Sequence, residues 1–209
     1  MITKPQWHLL DKETPYFGPE LRPHWILETT GIYGSAIVGF QGPCHVKTEK
    51  LVDWEDRLAQ DSIQARSMLH FVGEFFGISL ESGVFAQRLF MQWAQKLLSL
   101  RPLIDQKTKV IYCIERRGDD LYLVPQGGDA HPERKLSVSI ATASSVSVLI
   151  HWGINIDSTG APSTVKAGGL QDFGWSRDMI LDFAKELLTQ YIEELEEIRI
   201  AQCKVRPVS

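Results

Sequence analysis

From Lys109 onward the chain alternates apolar and polar residues with a period of two, the signature of strands that bury one face and wet the other. This alternation constrains the fold more than any other feature, because a one-residue slip would turn every side chain to the wrong side. It predicts strands near 109–115, 120–124, 135–142 and 146–156, forming a mostly antiparallel meander. Lys135, Ser137 and Ser139 fall on one face and Leu136, Val138 and Ile140 on the other. In the next segment Ser147, His151 and Asn155 share a face opposite Val148, Ile150, Trp152, Ile154 and Ile156. A hairpin through Ala143 to Ser145 would therefore line one surface with an ammonium, an imidazole, an amide and several hydroxyls.

Helical spacing brackets this meander. Leu51, Trp54 and Leu58 predict a helix over 47–58, after a short strand from Ser35 to Phe40 stopped by Gly42 and Pro43. Met68, Leu69, Val72, Phe75 and Phe76 predict another over 61–76, ended by Gly77. Ser82 is placed to cap a third, running to Leu100 with Phe85, Leu89, Trp93 and Leu97 facing inward. Ser176 is placed to cap a long terminal helix whose stripe runs from Ile180 to Leu195, with Glu193, Glu194, Glu196 and Glu197 as its solvated face. Residues 14–34, rich in Pro, Gly and aromatics, read as a turn-rich wrap of the kind that covers one side of a pocket. The expected architecture is α+β, a mixed and mostly antiparallel sheet packed by helices, in a single domain over 1–209.

Composition narrows the partners. A formal net charge of −4 gives no basic excess for neutralising phosphates, so nucleic acid is not expected. No apolar run approaches the roughly 20 residues that span a bilayer, and Met1 to Leu10 has no apolar signal core, so no membrane partner and a cytoplasmic location are expected. The three cysteines form no CxxC pair and leave an odd count, which argues against a disulfide framework or structural zinc. A small-molecule ligand is the expected partner, and a homodimer is compatible with the pattern.

Three groups of residues carry chemistry. Lys135 on a polar sheet face suits a phosphate, a carboxylate or a carbonyl oxygen gaining charge. His151 offers a general base near neutral pH, against the plainer reading of a hydrogen-bonded structural histidine. Cys44, ahead of the helix expected from Lys47, offers an acyl-accepting nucleophile. Lys47, Asp120, Ser137, Ser139 and Asn155 are the candidate substrate contacts. Glu49, Asp53 and Asp56 form an alternative: three carboxylates on one helix face that would share a divalent metal, against the cheaper reading of acids favoured by a helix N-terminus.

Read in order, Arg117-Gly118-Asp119-Asp120-Leu121-Tyr122, Lys135-Leu136-Ser137-Val138-Ser139, Ile150-His151-Trp152-Gly153-Ile154-Asn155-Ile156 and Gly169-Leu170-Gln171-Asp172-Phe173-Gly174 resemble the catalytic core of biotin protein ligases and lipoate ligases. The resemblance covers about the last hundred residues. It implies a biotin/lipoate ligase-like fold, a class II synthetase-like arrangement, in which Lys135 contacts an acyl carbonyl and Asp120 and Asn155 shape the site. The chain departs from that pattern at Asp119, where the family has Asn, and at Ser137 and Val138, near its small Gly. The Gly- and Arg-rich adenylate loop has no counterpart, so no cofactor is named. The whole chain, including Gly34-Ser35-Ala36-Ile37-Val38 and the run from Val46 to Asp56, is identified as a member of the family catalogued as domain of unknown function 366. That resemblance places the 47–56 stretch where the ligase loop would be, facing Lys135. The expected function is acyl or carboxylate handling by a transferase or ligase-like enzyme. A non-catalytic binding or assembly module and a metal-dependent hydrolase are the alternatives.

Overall fold

Nine strands, four α-helices and two 3-10 turns make up the computed structural model, which describes residues 4–127 and 131–208. The strands are β1 (Gln6–Leu9), β2 (Ala36–Val46), β3 (Ile63–Phe75), β4 (Leu103–Ile104), β5 (Ile111–Arg117), β6 (Asp120–Pro125), β7 (Arg134–Lys135), β8 (Ser137–Ala143) and β9 (Val148–Asp157). The α-helices are α1 (Trp25–Thr30), α2 (Trp54–Leu58), α3 (Leu80–Leu98) and α4 (Arg177–Cys203). A five-stranded sheet has the order β1-β2-β3-β9-β8, and a smaller one the order β4-β5-β6-β7. Among the named strands only β1 and β2 pair in parallel and the others pair antiparallel, while isolated parallel bridges join Tyr16 to Cys44 and Lys135 to Ala167. Mixed sheets packed by helices are the expected α+β class. Residues 128–130, in the Gly- and Pro-containing loop between β6 and β7, lie outside the described residues.

The large sheet is buried on both faces. Against one face α3 and α4 pack Phe90 and Tyr191 onto Phe71 and Trp152, with the Phe90 and Trp152 rings stacked at 4.3 Å. Against the other, the 14–34 segment packs Tyr16 and Ile26 onto Val38, Phe40, Met68 and Val72. This two-sided burial corrects the helix expected over 61–76. A central strand that is apolar on both faces shows no clean alternation, and its Met68, Leu69, Val72 and Phe75 fall by accident at helical spacing. Pairing with both β2 and β9 settles the competition for strand.

Two further boundaries move. β2 runs through Gly42 and Pro43 to Val46, because a register shift between Gly42 and Cys44 accommodates the proline, which has no N–H to give the ladder. The helix expected over 47–58 is a 3-10 turn at Thr48–Lys50 followed by the five-residue α2, which leaves Trp54 69% and Leu58 78% exposed. α3 is capped by Ser79 rather than Ser82, its hydroxyl accepting from the Ser82 N–H at 3.1 Å. Its core face is Ala86, Phe90, Met91, Ala94 and Leu98, and Phe85 points out at 67% exposure. The small residues Gly83, Ala86 and Ala94 let the helix approach β9: a Cβ at Gly83 would stand 2.4 Å from Val148. Small residues add little to an apolar stripe, so the larger Phe85 and Trp93 dominate the helical pattern in the sequence.

α4 begins as expected at Ser176, whose hydroxyl accepts from the Met179 N–H at 3.3 Å. Ser176→Ala is expected to cost about 1 kcal/mol, the usual value of an N-cap, seen as a lower thermal midpoint with unchanged far-ultraviolet circular dichroism. Among the described residues, no helix is long and apolar enough to cross a membrane.

Candidate functional site

Lys135 sits where the chain passes from one sheet to the other. Its backbone pairs with Tyr122 in the small sheet, Leu136 is fully buried, and Ser137 already pairs with Ile154 in the large sheet. The single strand expected over 135–142 is thus broken at Leu136. The Lys135 backbone is held on both sides, its N–H donating to Lys166 O at 2.7 Å and its carbonyl accepting from Gly168 N–H and from Asn155 Nδ2 at 3.3 Å. Fixed in this way, the side chain reaches Asp120, with Nζ 2.6 Å from Oδ2.

Asp120 starts β6, after the tight turn at Gly118 and Asp119 that the sequence predicts. Gly118 has φ +65°, a left-handed conformation that suits glycine. Gln87 of α3 clamps the turn, donating from Nε2 to Asp119 Oδ2 and to Ser139 Oγ, both at 2.8 Å. Ser139 in turn donates to the Asp119 carbonyl at 2.9 Å. Ser137 is fully buried and its hydroxyl accepts from the Leu121 N–H at 2.7 Å. These two serines and Asn155 therefore shape the site by holding its backbone.

A cavity of about 140 Å³ opens above the ion pair, walled by Tyr16, Lys50, Asp56, Asp120, Lys135 and His151. Tyr16 comes from the turn-rich 14–34 segment, which covers the pocket as expected. A smaller hollow of about 100 Å³ shares Asp56 and Lys135 and adds Ser137 and Asn155. The 47–56 stretch does face Lys135, through Lys50, Asp53 and Asp56; Lys47 is exposed and lines neither hollow.

The electrostatics are dominated by burial. It pushes the Asp120 carboxyl up, Asp119 and Asp56 add repulsion, and Lys135 only partly offsets this, leaving a value of about 6. Burial works against the Lys135 ammonium, but Asp120 outweighs it and the net shift is upward. Asp56 is also raised, by burial and by neighbouring Asp53. Oδ1 of Asp120 is buried without a hydrogen-bond partner among the described residues, an unusual state for a carboxylate oxygen and one that a ligand would relieve.

Two sequence candidates are corrected. Cys44 lies mid-strand rather than at a helix start, is 1% exposed, and burial pushes its thiol up to about 12. It is a packing residue against Tyr16. His151 is 3% exposed with its pKa pushed well below the usual value by burial and by His70, so it stays neutral instead of cycling protons near pH 7. Glu49, Asp53 and Asp56 do not converge either. Asp53 turns back to cap α2, accepting from Glu55 N–H at 2.7 Å, and among the described residues no three His, Cys, Asp or Glu side chains are grouped to hold a metal ion.

His70 was missed, because its segment read as a helix. A larger hollow of about 410 Å³ lies on the helix face between β1 and α4, but its charged residues, among them Lys12, Arg177 and Lys185, are exposed at its rim. Among the described residues, the Lys135 cavity gathers Asp56, Asp120, Lys135 and His151, all with displaced pKa values, and it is the candidate site.

The fold is a biotin/lipoate ligase-like α+β arrangement. A biotin protein ligase of Aquifex aeolicus in complex with biotin superposes with a TM-score of 0.50 at 14% identity, covering 94% of this chain and 73% of that one. At that identity the likeness shows the fold alone. The chain belongs to the family described as Domain of unknown function (DUF366), whose model matches residues 6–206. A protein of unknown function from Pyrococcus horikoshi shares 33% identity with a TM-score of 0.79, over 97% of this chain and all of that one. An uncharacterised protein of Methanocaldococcus jannaschii is 32% identical over 183 residues, 82% of this chain and 75% of the relative.

Proposed function

We propose that this protein is a small-molecule enzyme that binds an acyl compound over Lys135 and passes its acyl group directly to a second bound molecule. The nucleophile of that second molecule bonds the carbonyl carbon as the bond to the donor's alcohol, thiol or amine breaks, and that leaving group takes up the nucleophile's proton. The observation that carries the reading is the Lys135–Asp120 pair at the cavity floor. An ammonium has three hydrogens; one serves Asp120, and the others are free to polarise a ligand carbonyl in a partly desolvated place.

The charges lining the cavity refine the substrate. Lys50 and Lys135 stand against Asp53, Asp56, Asp119 and Asp120, two cations against four acids. Such a surround repels a free carboxylate and accepts a neutral carbonyl, as in an ester, thioester or amide. With Cys44 buried and His151 neutral, no side chain lining the cavity among the described residues is an activated nucleophile, which favours direct transfer over an acyl-enzyme intermediate. The same observation supports a second reading, a binding module on a ligase-like scaffold that performs no chemistry.

Thermal-shift measurements with octanoyl-coenzyme A, lipoamide and biotinamide, alone and with nucleotides, test the proposal. A ligand at 100 times its Kd adds about 2.7 kcal/mol, or roughly 5–10 °C for a chain of this size. Lys135→Met is expected to weaken binding by roughly 10- to 100-fold, the value of one charge-assisted hydrogen bond. A ligand shift that survives unchanged in Lys135→Met, or no shift with any of these compounds, overturns the reading. Product detection by mass spectrometry separates turnover from binding alone.

A further inference from the structure

Behind the cavity lies a chain of hydrogen bonds that fixes which nitrogen of His151 the ligand meets. His70 Nε2 is 3.3 Å from the Gly42 carbonyl, and His70 Nδ1 is 3.1 Å from His151 Nε2. A carbonyl can only accept, so the hydrogen of neutral His70 sits on Nε2 and its Nδ1 carries a lone pair. That lone pair requires a donor, so the hydrogen of neutral His151 sits on its Nε2. Nδ1 of His151 is then left with a lone pair and has no hydrogen-bond partner among the described residues. Both rings are held neutral by burial, His70 pushed down to about 3. Neither ring is free to swing away: Tyr16 lies flat on His151 with centroids 3.9 Å apart and planes 6° from parallel, and Phe40 and Tyr16 both stack on His70.

His151 is 97% buried yet lines the cavity, and its Nδ1, unlike Oδ1 of Asp120, is not sealed off from it, so an unused acceptor held in a fixed ring stands open to a donor on a ligand. Resting on the acyl reading above, we infer that the cavity selects an acyl compound with an N–H or O–H group, which donates to Nδ1 of His151 while its carbonyl oxygen accepts from Lys135. The substrate class is thereby a carbonyl compound with a second, donating end, such as an amide or a hydroxy-acyl group, in preference to a plain ester. His70 acts as a positioning residue that sets the tautomer, and the Gly42 carbonyl anchors it. This explains why two neutral histidines occupy a core position where an apolar pair would pack at less cost.

The prediction is read by nitrogen-15 spectroscopy of the histidine rings. In the free protein His151 is expected to show hydrogen on Nε2 and a bare Nδ1, unchanged from pH 5 to 8; hydrogen on Nδ1 overturns the inference. His70→Phe removes the acceptor and is expected to release His151 into a mixture of both tautomers. N-methylhexanamide and methyl hexanoate then serve as probes of nearly equal shape, only the first of which donates. The amide is expected to bind about tenfold more tightly and to move the Nδ1 resonance, with the preference lost in His151→Phe. Equal binding of both probes that disappears in Lys135→Met leaves the acyl cavity standing and overturns the donor assignment. Binding of neither probe overturns both.

Discussion

Arg134→Met is expected to destabilise the protein by roughly 3–5 kcal/mol, seen as a lower urea midpoint at an unchanged slope. Arg134 precedes Lys135 in β7 and ties that two-residue strand to the rest of the molecule. One guanidinium nitrogen donates to Asp105 and another to Asp172, each at 2.9 Å, and the group lies over the rings of Tyr112 at 4.5 Å and Phe173 at 5.4 Å. The side chains of Arg134 and Asp105 are 16% and 8% exposed, so water screens the pair poorly. Burial pushes the Asp105 carboxyl up, yet hydrogen bonds from Thr108, Arg134 and Lys107 outweigh it and hold the group below its ordinary range. Removing the cation strands a buried carboxylate, and that loss exceeds the worth of any contact Met regains. Arg117 is the control: it bonds Glu115 and Glu133 at 2.9 and 2.7 Å, but all three side chains are nearly half exposed. Arg117→Met is expected to leave the urea midpoint nearly unchanged despite its shorter contact. Equal losses at the two sites would show that burial does not set the difference.

The same contrast between local and tertiary signals explains what could be read in advance. The β8–β9 hairpin, the Gly118–Asp119 turn and the Ser176 cap rest on residues within a few positions of one another, and all three stand where the sequence puts them. The resemblance brings Lys135 and Asp120 to one site, but their direct contact was not legible, because it depends on the two-residue β7 pairing with β6 rather than on the hairpin that the alternation predicts. His70 was not legible either: its strand is buried on both faces, so no period of two survives to reveal it. Gly73, beside Trp152, was the available signal, since a mid-segment glycine flanked by Val72 and aromatics fits a crowded strand better than a helix. Cys44 failed as a nucleophile for a related reason. Gly42-Pro43 looks like the end of a strand, and only the bulge that follows and the Tyr16 backbone, which bonds to Pro43 and His45, keep Cys44 inside one.

Asp120 is expected to make the wild-type protein less stable as pH rises from about 4 to about 6, by up to about 3 kcal/mol relative to Asp120→Asn. The sign follows from its raised pKa. In the folded chain the carboxyl holds its proton up to about pH 6, because burial and the nearby Asp119 and Asp56 outweigh the help of Lys135. In the unfolded chain it releases that proton near pH 4. Between those values the folded state binds more protons, so this contribution is complete below pH 4 and is lost as pH rises through 6. Groups with lowered values, such as Asp105 and Asp157, act in the opposite direction, and they cancel when each variant is compared with wild type at the same pH. Urea titrations of both proteins at half-unit steps from pH 4.5 to 7.5 give the difference directly. In Lys135→Met the ammonium no longer favours the charged form, and the fall is expected to extend to higher pH. A flat difference would mean that Asp120 ionises as freely as a surface carboxylate, and the buried ion pair would then lose its standing as the polarising element of the cavity.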